Sequence, residues 1–135
     1  MRRTTRPRSG AAAIEMALAG SLILILIFGL MEWSWYLFQY FSLERASERG
    51  VRMAAAASTE QDPAVVAQAG VDAALRQWGV QPSRVTVVTT VTGATGSQVV
   101  TVDLTLPDAT LVGLVPSPTV AHTSSSQRYE EALPR

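Results

Sequence analysis

From Ala11 to Met31 the chain runs 21 residues with a single charge, Glu15. As an α-helix this stretch is about 32 Å long, against a bilayer hydrocarbon core of about 30 Å. Its centre, Leu22-Ile23-Leu24-Ile25-Leu26-Ile27-Phe28, is apolar all round and has no face for water. A soluble fold would have to wrap this helix completely, and a chain of 135 residues leaves too little outside it to do so. The segment is expected to be a membrane span, and the rest of the chain must be arranged around it.

The flanks give the span a direction. Arg2, Arg3, Arg6 and Arg8 precede it, so the positive-inside rule predicts a cytoplasmic amino end and an extracytoplasmic carboxyl-terminal part. A cleaved secretory signal would need a shorter apolar core followed by a small-x-small site. Here the run ends in Glu32-Trp33-Ser34-Trp35-Tyr36, and the alanines Ala11-Ala12-Ala13 stand before the core. Trp33, Trp35, Tyr36 and Tyr40 read instead as an interfacial aromatic belt.

Charge and composition narrow the function classes. The formal net charge is zero, and beyond the four leading arginines only seven basic residues face eleven acids, which argues against a nucleic-acid binder. With no cysteine there is no disulfide framework, zinc knuckle or thiol nucleophile. His122 is the one histidine, and the Ser124-Ser125-Ser126 run has no base at motif spacing. Neither a phosphate loop nor a dinucleotide or calcium motif is found. No catalytic residues, metal site or cofactor are expected.

Glu15 stands out, because a carboxylate inside an apolar helix costs about 3 kcal/mol or more unless it is paired, and its default reading is functional. It lies five residues after Gly10, and Arg8-Ser9-Gly10-Ala11-Ala12-Ala13-Ile14-Glu15 resembles the processing signature of type IV prepilins. That resemblance implies cleavage between Gly10 and Ala11 by a membrane prepilin peptidase. The physical sense of the spacing is charge pairing. Cleavage would create a cationic amine on Ala11 that Glu15, of the same or a neighbouring subunit, would neutralise in a low-dielectric setting.

The likeness extends further. Gly10-Ala11-Ala12-Ala13-Ile14-Glu15-Met16-Ala17-Leu18, the aliphatic run, Phe28-Gly29-Leu30-Met31-Glu32-Trp33 and the alanine-rich Ala46-Ser47-Glu48-Arg49-Gly50-Val51-Arg52-Met53-Ala54-Ala55 together resemble the TadE-like family. These are small pseudopilins of tight-adherence (Flp, type IVb) pilus systems. The resemblance covers about residues 8 to 57. It implies a bacterial inner-membrane subunit with a periplasmic head, carried into the pilus on assembly. The implied partners are the prepilin peptidase, the major Flp-type pilin, other TadE-like pseudopilins, inner-membrane platform proteins and membrane lipid. The family's major pilin has almost no head, so the residues after 57 imply a minor, accessory role. An uncleaved, bitopic scaffold of an envelope secretion complex is the alternative.

Beyond the span, residues 32–57 continue a helix without proline. At about 100° per residue, Glu44, Arg45, Glu48, Arg49 and Arg52 share one arc, read as a solvated face. Leu43, Ala46, Gly50, Met53, Ala54 and Ala57 form the opposite, packing face. Asp62-Pro63 opens a second helix, with Val65, Val66, Ala69, Ala73 and Leu75 as its apolar stripe and Gly79 at its end. Two period-two runs follow, Val85–Thr92 and Val100–Leu106, joined by a hairpin loop at Gly93-Ala94-Thr95-Gly96-Ser97. A third strand is predicted from Thr119 to Gln127. The apolar Leu111–Val115, bounded by Pro107, Pro116 and Pro118, is read as a loop covering the core, with an exposed contact as the alternative.

The expected fold class is α+β, a reduced type IV pilin-like arrangement. It comprises a long amino-terminal transmembrane and stem helix, a short second helix and a small three-stranded antiparallel sheet. The expected organisation is a basic leader (1–10), a transmembrane helix (11–31), its extramembrane continuation (32–57), a periplasmic head (58–128) and a flexible tail (129–135).

Overall fold

The longest element, α1 (Ser9–Ala55), is a continuous helix of 47 residues, about 70 Å from end to end. In this computed structural model the chain is described over residues 9–57, 61–93, 98–113 and 115–129. The apolar residues of the first half of α1 are exposed along its whole surface. From Glu32 onward one stripe turns inward. Glu32, Gln39, Leu43, Ala46, Gly50 and Ala54 are buried at helical spacing, flanked by Ser42, Ser47 and Val51. The exposed apolar segment and the core wall are thus two halves of one helix.

The second helix, α2 (Pro63–Gln77), starts where Asp62 accepts a hydrogen bond from the Ala64 N–H at 2.9 Å and Pro63 fills the first turn. It ends at Gly79, whose φ of 73° lets the Val80 N–H return to the Leu75 carbonyl at 2.9 Å. Its buried residues are Ala67, Gly70, Val71, Ala74 and Leu75. The expected stripe is therefore corrected. Leu75 is inside, but Val65, Ala69 and Ala73 are exposed and Val66 is half-buried. The reason is close approach. α2 lies against the Gly50 turn of α1, so its inward face is chosen by Gly70 and the alanines rather than by its bulkiest side chains.

A single turn of 3₁₀-helix (Pro82–Arg84) leads into the sheet. Strands β1 (Thr86–Thr92), β2 (Gln98–Leu106) and β3 (Ala121–Tyr129) pair antiparallel in the order β1-β2-β3. The period-two reading of β2 has its physical counterpart in burial. Val100, Val102, Leu104 and Leu106 are buried, and Thr101, Asp103 and Thr105 between them are only partly covered. On β3, Ala121 and Thr123 are buried and Ser125 half-buried, while His122, Ser124 and Ser126 face outward. β3 begins two residues later than predicted. Thr119 is not in the sheet because its carbonyl accepts the Ala109 N–H at 2.8 Å, closing the neck of the loop between β2 and β3.

The architecture is α+β: a long apolar amino-terminal helix, a second helix and a three-stranded antiparallel sheet. The core lies where α1 crosses β2 and β3, with α2 beside it. Arg2, Arg3, Arg6 and Arg8, hairpin residues 94–97 and the expected tail beyond Tyr129 lie outside the described residues.

Candidate functional site

The first candidate region is the start of α1. Gly10, Ala11 and Glu15 are all helical and exposed, and a methyl on Gly10 would meet nothing within 4 Å. Ala11 and Glu15 are four residues apart, so they share a face about 6 Å apart along the axis. A charge on the Ala11 nitrogen would thus stand within reach of the Glu15 side chain. The described part of α1 starts at Ser9, so the Gly10–Ala11 bond is helical.

The second region is at the other end of the apolar run, and the sequence reading passed over it. Glu32 is only 2% exposed. Its carboxylate accepts the Leu111 N–H on Oε1 at 2.9 Å and the Val112 and Gly113 N–H groups on Oε2 at 2.9 and 3.3 Å. The Ser117 hydroxyl donates to Oε1 at 3.4 Å. Three successive backbone N–H groups turned on one anion make a nest, and the positive φ of Gly113 (74°) lets the chain curl around it. These bonds hold the Glu32 carboxyl below the usual glutamate range. The Val112 N–H contributes most, and together they outweigh the opposing effect of desolvation.

This geometry corrects the reading of Leu111–Val115 as core cover. With the N–H groups turned in, the Leu111 and Val112 side chains turn out and are exposed. Val115 is half-buried, its methyl carbons 3.8 and 3.9 Å from where a Cβ on Gly29 would stand. Leu114 lies outside the described residues. The available signal was an acid at the edge of an apolar helix, paired with a glycine in a distant proline-bounded apolar segment.

The third region is the proposed packing face. Leu43, Ala46, Gly50 and Ala54 are buried, Met53 is 39% exposed over Gly70, and Ala57 is half-buried just past the helix end. Opposite them, Glu48 and Arg52 are 3.7 Å apart with both side chains largely in solvent. Arg45 lies over the Trp78 ring at 5.6 Å, and Arg49 donates to Gln77 Oε1 at 3.5 Å. The aromatic group steps along α1: Trp33 meets Tyr36 edge-on, Tyr36 stacks on Tyr40, and Trp35 stacks on Phe38. Among the described residues no group of three or more histidine or acidic side chains is placed to hold a metal ion.

These features define a class: an α+β protein in which one helix among the described residues, α1, is long and apolar enough to cross a membrane and also forms a wall of the head. Residues 10–52 match the model of the family described as TadE-like protein, so over most of α1 the chain is similar to that family. The match ends before α2, and the head stands outside it. Searches of curated proteins and of solved structures give no match. A TadE-like stem on a helix of this length fits a pilus-related membrane protein, and the TadE-like family is a structural, pilus-associated one.

Proposed function

We propose that this chain is a minor pseudopilin, an accessory subunit of a tight-adherence (Flp, type IVb) pilus system. It is inserted in the bacterial inner membrane with its amino end cytoplasmic and its head periplasmic. Prepilin peptidase cuts it after Gly10, and the mature subunit enters an assembly of Flp-type pilin and other TadE-like subunits through its apolar helix. The platform proteins of the inner membrane are its contacts before assembly.

One observation carries this reading. Glu15 is an exposed acid in the otherwise uncharged apolar stretch 11–31 of α1, one turn from Ala11. An anchor that only tethers a head has no use for a carboxylate there, whereas a new amine at Ala11 gives it a counter-charge. Association in lipid gains nothing from hydrophobicity alone, so this pairing and side-chain packing supply the drive.

The deciding measurement is the intact mass and amino-terminal sequence of the protein from its native membrane. The expected chain starts at Ala11, and Gly10→Glu leaves the precursor uncut. A chain that starts at Met1 or Arg2 would instead be an uncleaved bitopic scaffold, a reading favoured by the continuation of α1 through Gly10 to Ser9.

A further inference from the structure

We propose that the loop from Ala109 to Thr119 is a second membrane contact, its tip at Leu111 and Val112 entering the headgroup–acyl boundary of the bilayer that α1 crosses. The proposal rests on the anchor reading above, and it assigns a lipid-binding task to the head.

Four observations support it. The first is depth. Glu32 directly follows Met31, where the apolar run ends, and its carboxylate holds the loop backbone at Leu111, Val112 and Gly113. Val115 reaches further, to Gly29, which lies three residues and about 4.5 Å before Glu32 along the helix. The loop therefore overlaps the span and does not merely end above it.

The second is chemistry. From Ala109 to Thr119 the loop has no charged residue, and Pro116 and Pro118 have no N–H to leave unpaired. The N–H groups of Leu111, Val112 and Gly113 are paired with Glu32, which lowers the cost of placing irregular backbone at membrane depth. Leu111 is 41% and Val112 55% exposed on this prepaid backbone.

The third is the position of the charges. Arg84 donates to the Asp108 carbonyl at 3.1 Å, just outside the neck formed by Ala109 and Thr119. Asp108, the charged residue next to the loop, thus stays on its head side, and the Glu32 carboxylate is enclosed by the nest. The fourth is continuity with the belt. Trp33 and Trp35 are exposed immediately above Glu32, at the level where amphipathic rings favour the interface.

The test uses the full chain, which has no native cysteine. Single variants Val112→Cys, Leu24→Cys and Val91→Cys are labelled with an environment-sensitive fluorophore. Each is reconstituted into vesicles of phosphatidylethanolamine and phosphatidylglycerol, with and without lipids spin-labelled near the headgroup or deep in the chain. Val91 is exposed and pairs with Val100, at the end of the sheet far from the loop.

The label at Val112 is expected to shift to the blue and to lose most of its intensity to the shallow quencher. The label at Leu24 should respond to the deep quencher, and the label at Val91 to neither. Adding Glu32→Gln to Val112→Cys should abolish the shallow quenching and leave the Leu24 signal unchanged. A Val112 label that behaves like Val91 while Leu24 stays quenched overturns the loop proposal and leaves the anchor standing. An unquenched Leu24 label overturns the anchor, and the loop proposal with it. Protection at Val112 that ignores quencher lipids and disappears on dilution into excess lipid assigns the loop to a second copy, and also overturns the proposal.

Discussion

Gly50 of α1 and Gly70 of α2 meet where the two helices cross: a methyl on Gly70 would stand 3.3 Å from the Gly50 Cα. A methyl on Gly50 would stand 2.6 Å from Val71 Cγ2 and 3.1 Å from the Ala67 carbonyl oxygen. Gly50→Ala is therefore expected to destabilise the head, with overpacking costing about 1–3 kcal/mol and helix propensity returning about 1 kcal/mol at most. Gly70→Ala should cost less, because its nearest neighbour is the movable Met53 Sδ at 2.9 Å. Thermal unfolding of both variants in detergent checks the order. Equal midpoints for Gly50→Ala and the unaltered chain would show that the crossing relaxes freely.

Ser47 is fully buried, donates to the Glu44 carbonyl at 2.8 Å and lies 2.7 Å from the Ser125 hydroxyl on β3. Ser47→Ala removes the partner of Ser125 and should cost about 1 kcal/mol. Ser125→Ala in the same background should then cost little more, since an apolar pair leaves no hydroxyl stranded. A urea-unfolding double-mutant cycle reads the coupling. Strict additivity would mean that the two hydroxyls do not support one another.

The Glu32 nest makes the loop sensitive to acid. A carboxyl held below its ordinary value contributes binding that is complete above the usual glutamate range and is lost as pH falls through the lowered value. Hydrogen exchange across residues 109–119, corrected for the intrinsic pH dependence, should be slow at neutral pH and accelerate below that range. Glu32→Gln should exchange quickly at neutral pH and lose the acid transition. A pH-independent loop in the unaltered protein would remove the carboxylate from this role.

Glu15→Ala is expected to insert in the membrane normally and to fail in pilus assembly, because an alanine cannot neutralise the amine that cleavage would create at Ala11. Immunoblots of membrane fractions and counts of surface pili read the two effects separately. Full piliation by this variant would speak against the pairing.

Where the fold was legible, the signal was local and repeated. The apolar run, the Asp62-Pro63 helix start and the alternation along β2 each depend on neighbours in sequence. The inward face of α2 was misread because bulk was taken as the guide, whereas Gly70 and its alanines respond to Gly50, twenty residues away. The Glu32 nest left only a faint trace in the sequence for a similar reason. Its donors are backbone N–H groups about eighty residues downstream, and backbone leaves no residue-type signature beyond Gly113. Gly10, Ala11 and Glu15 were singled out by linear order alone, and the structure adds that all three lie exposed on α1.

The uninterrupted course of α1 has a mechanical consequence. With no joint between the part that would lie in lipid and the part that walls the core, traction on the anchor is delivered straight to Leu43, Ala46 and Ala54 and through them to the sheet. Such a chain behaves as a lever with its load fixed to the shaft: tilting the helix turns the head by the same angle.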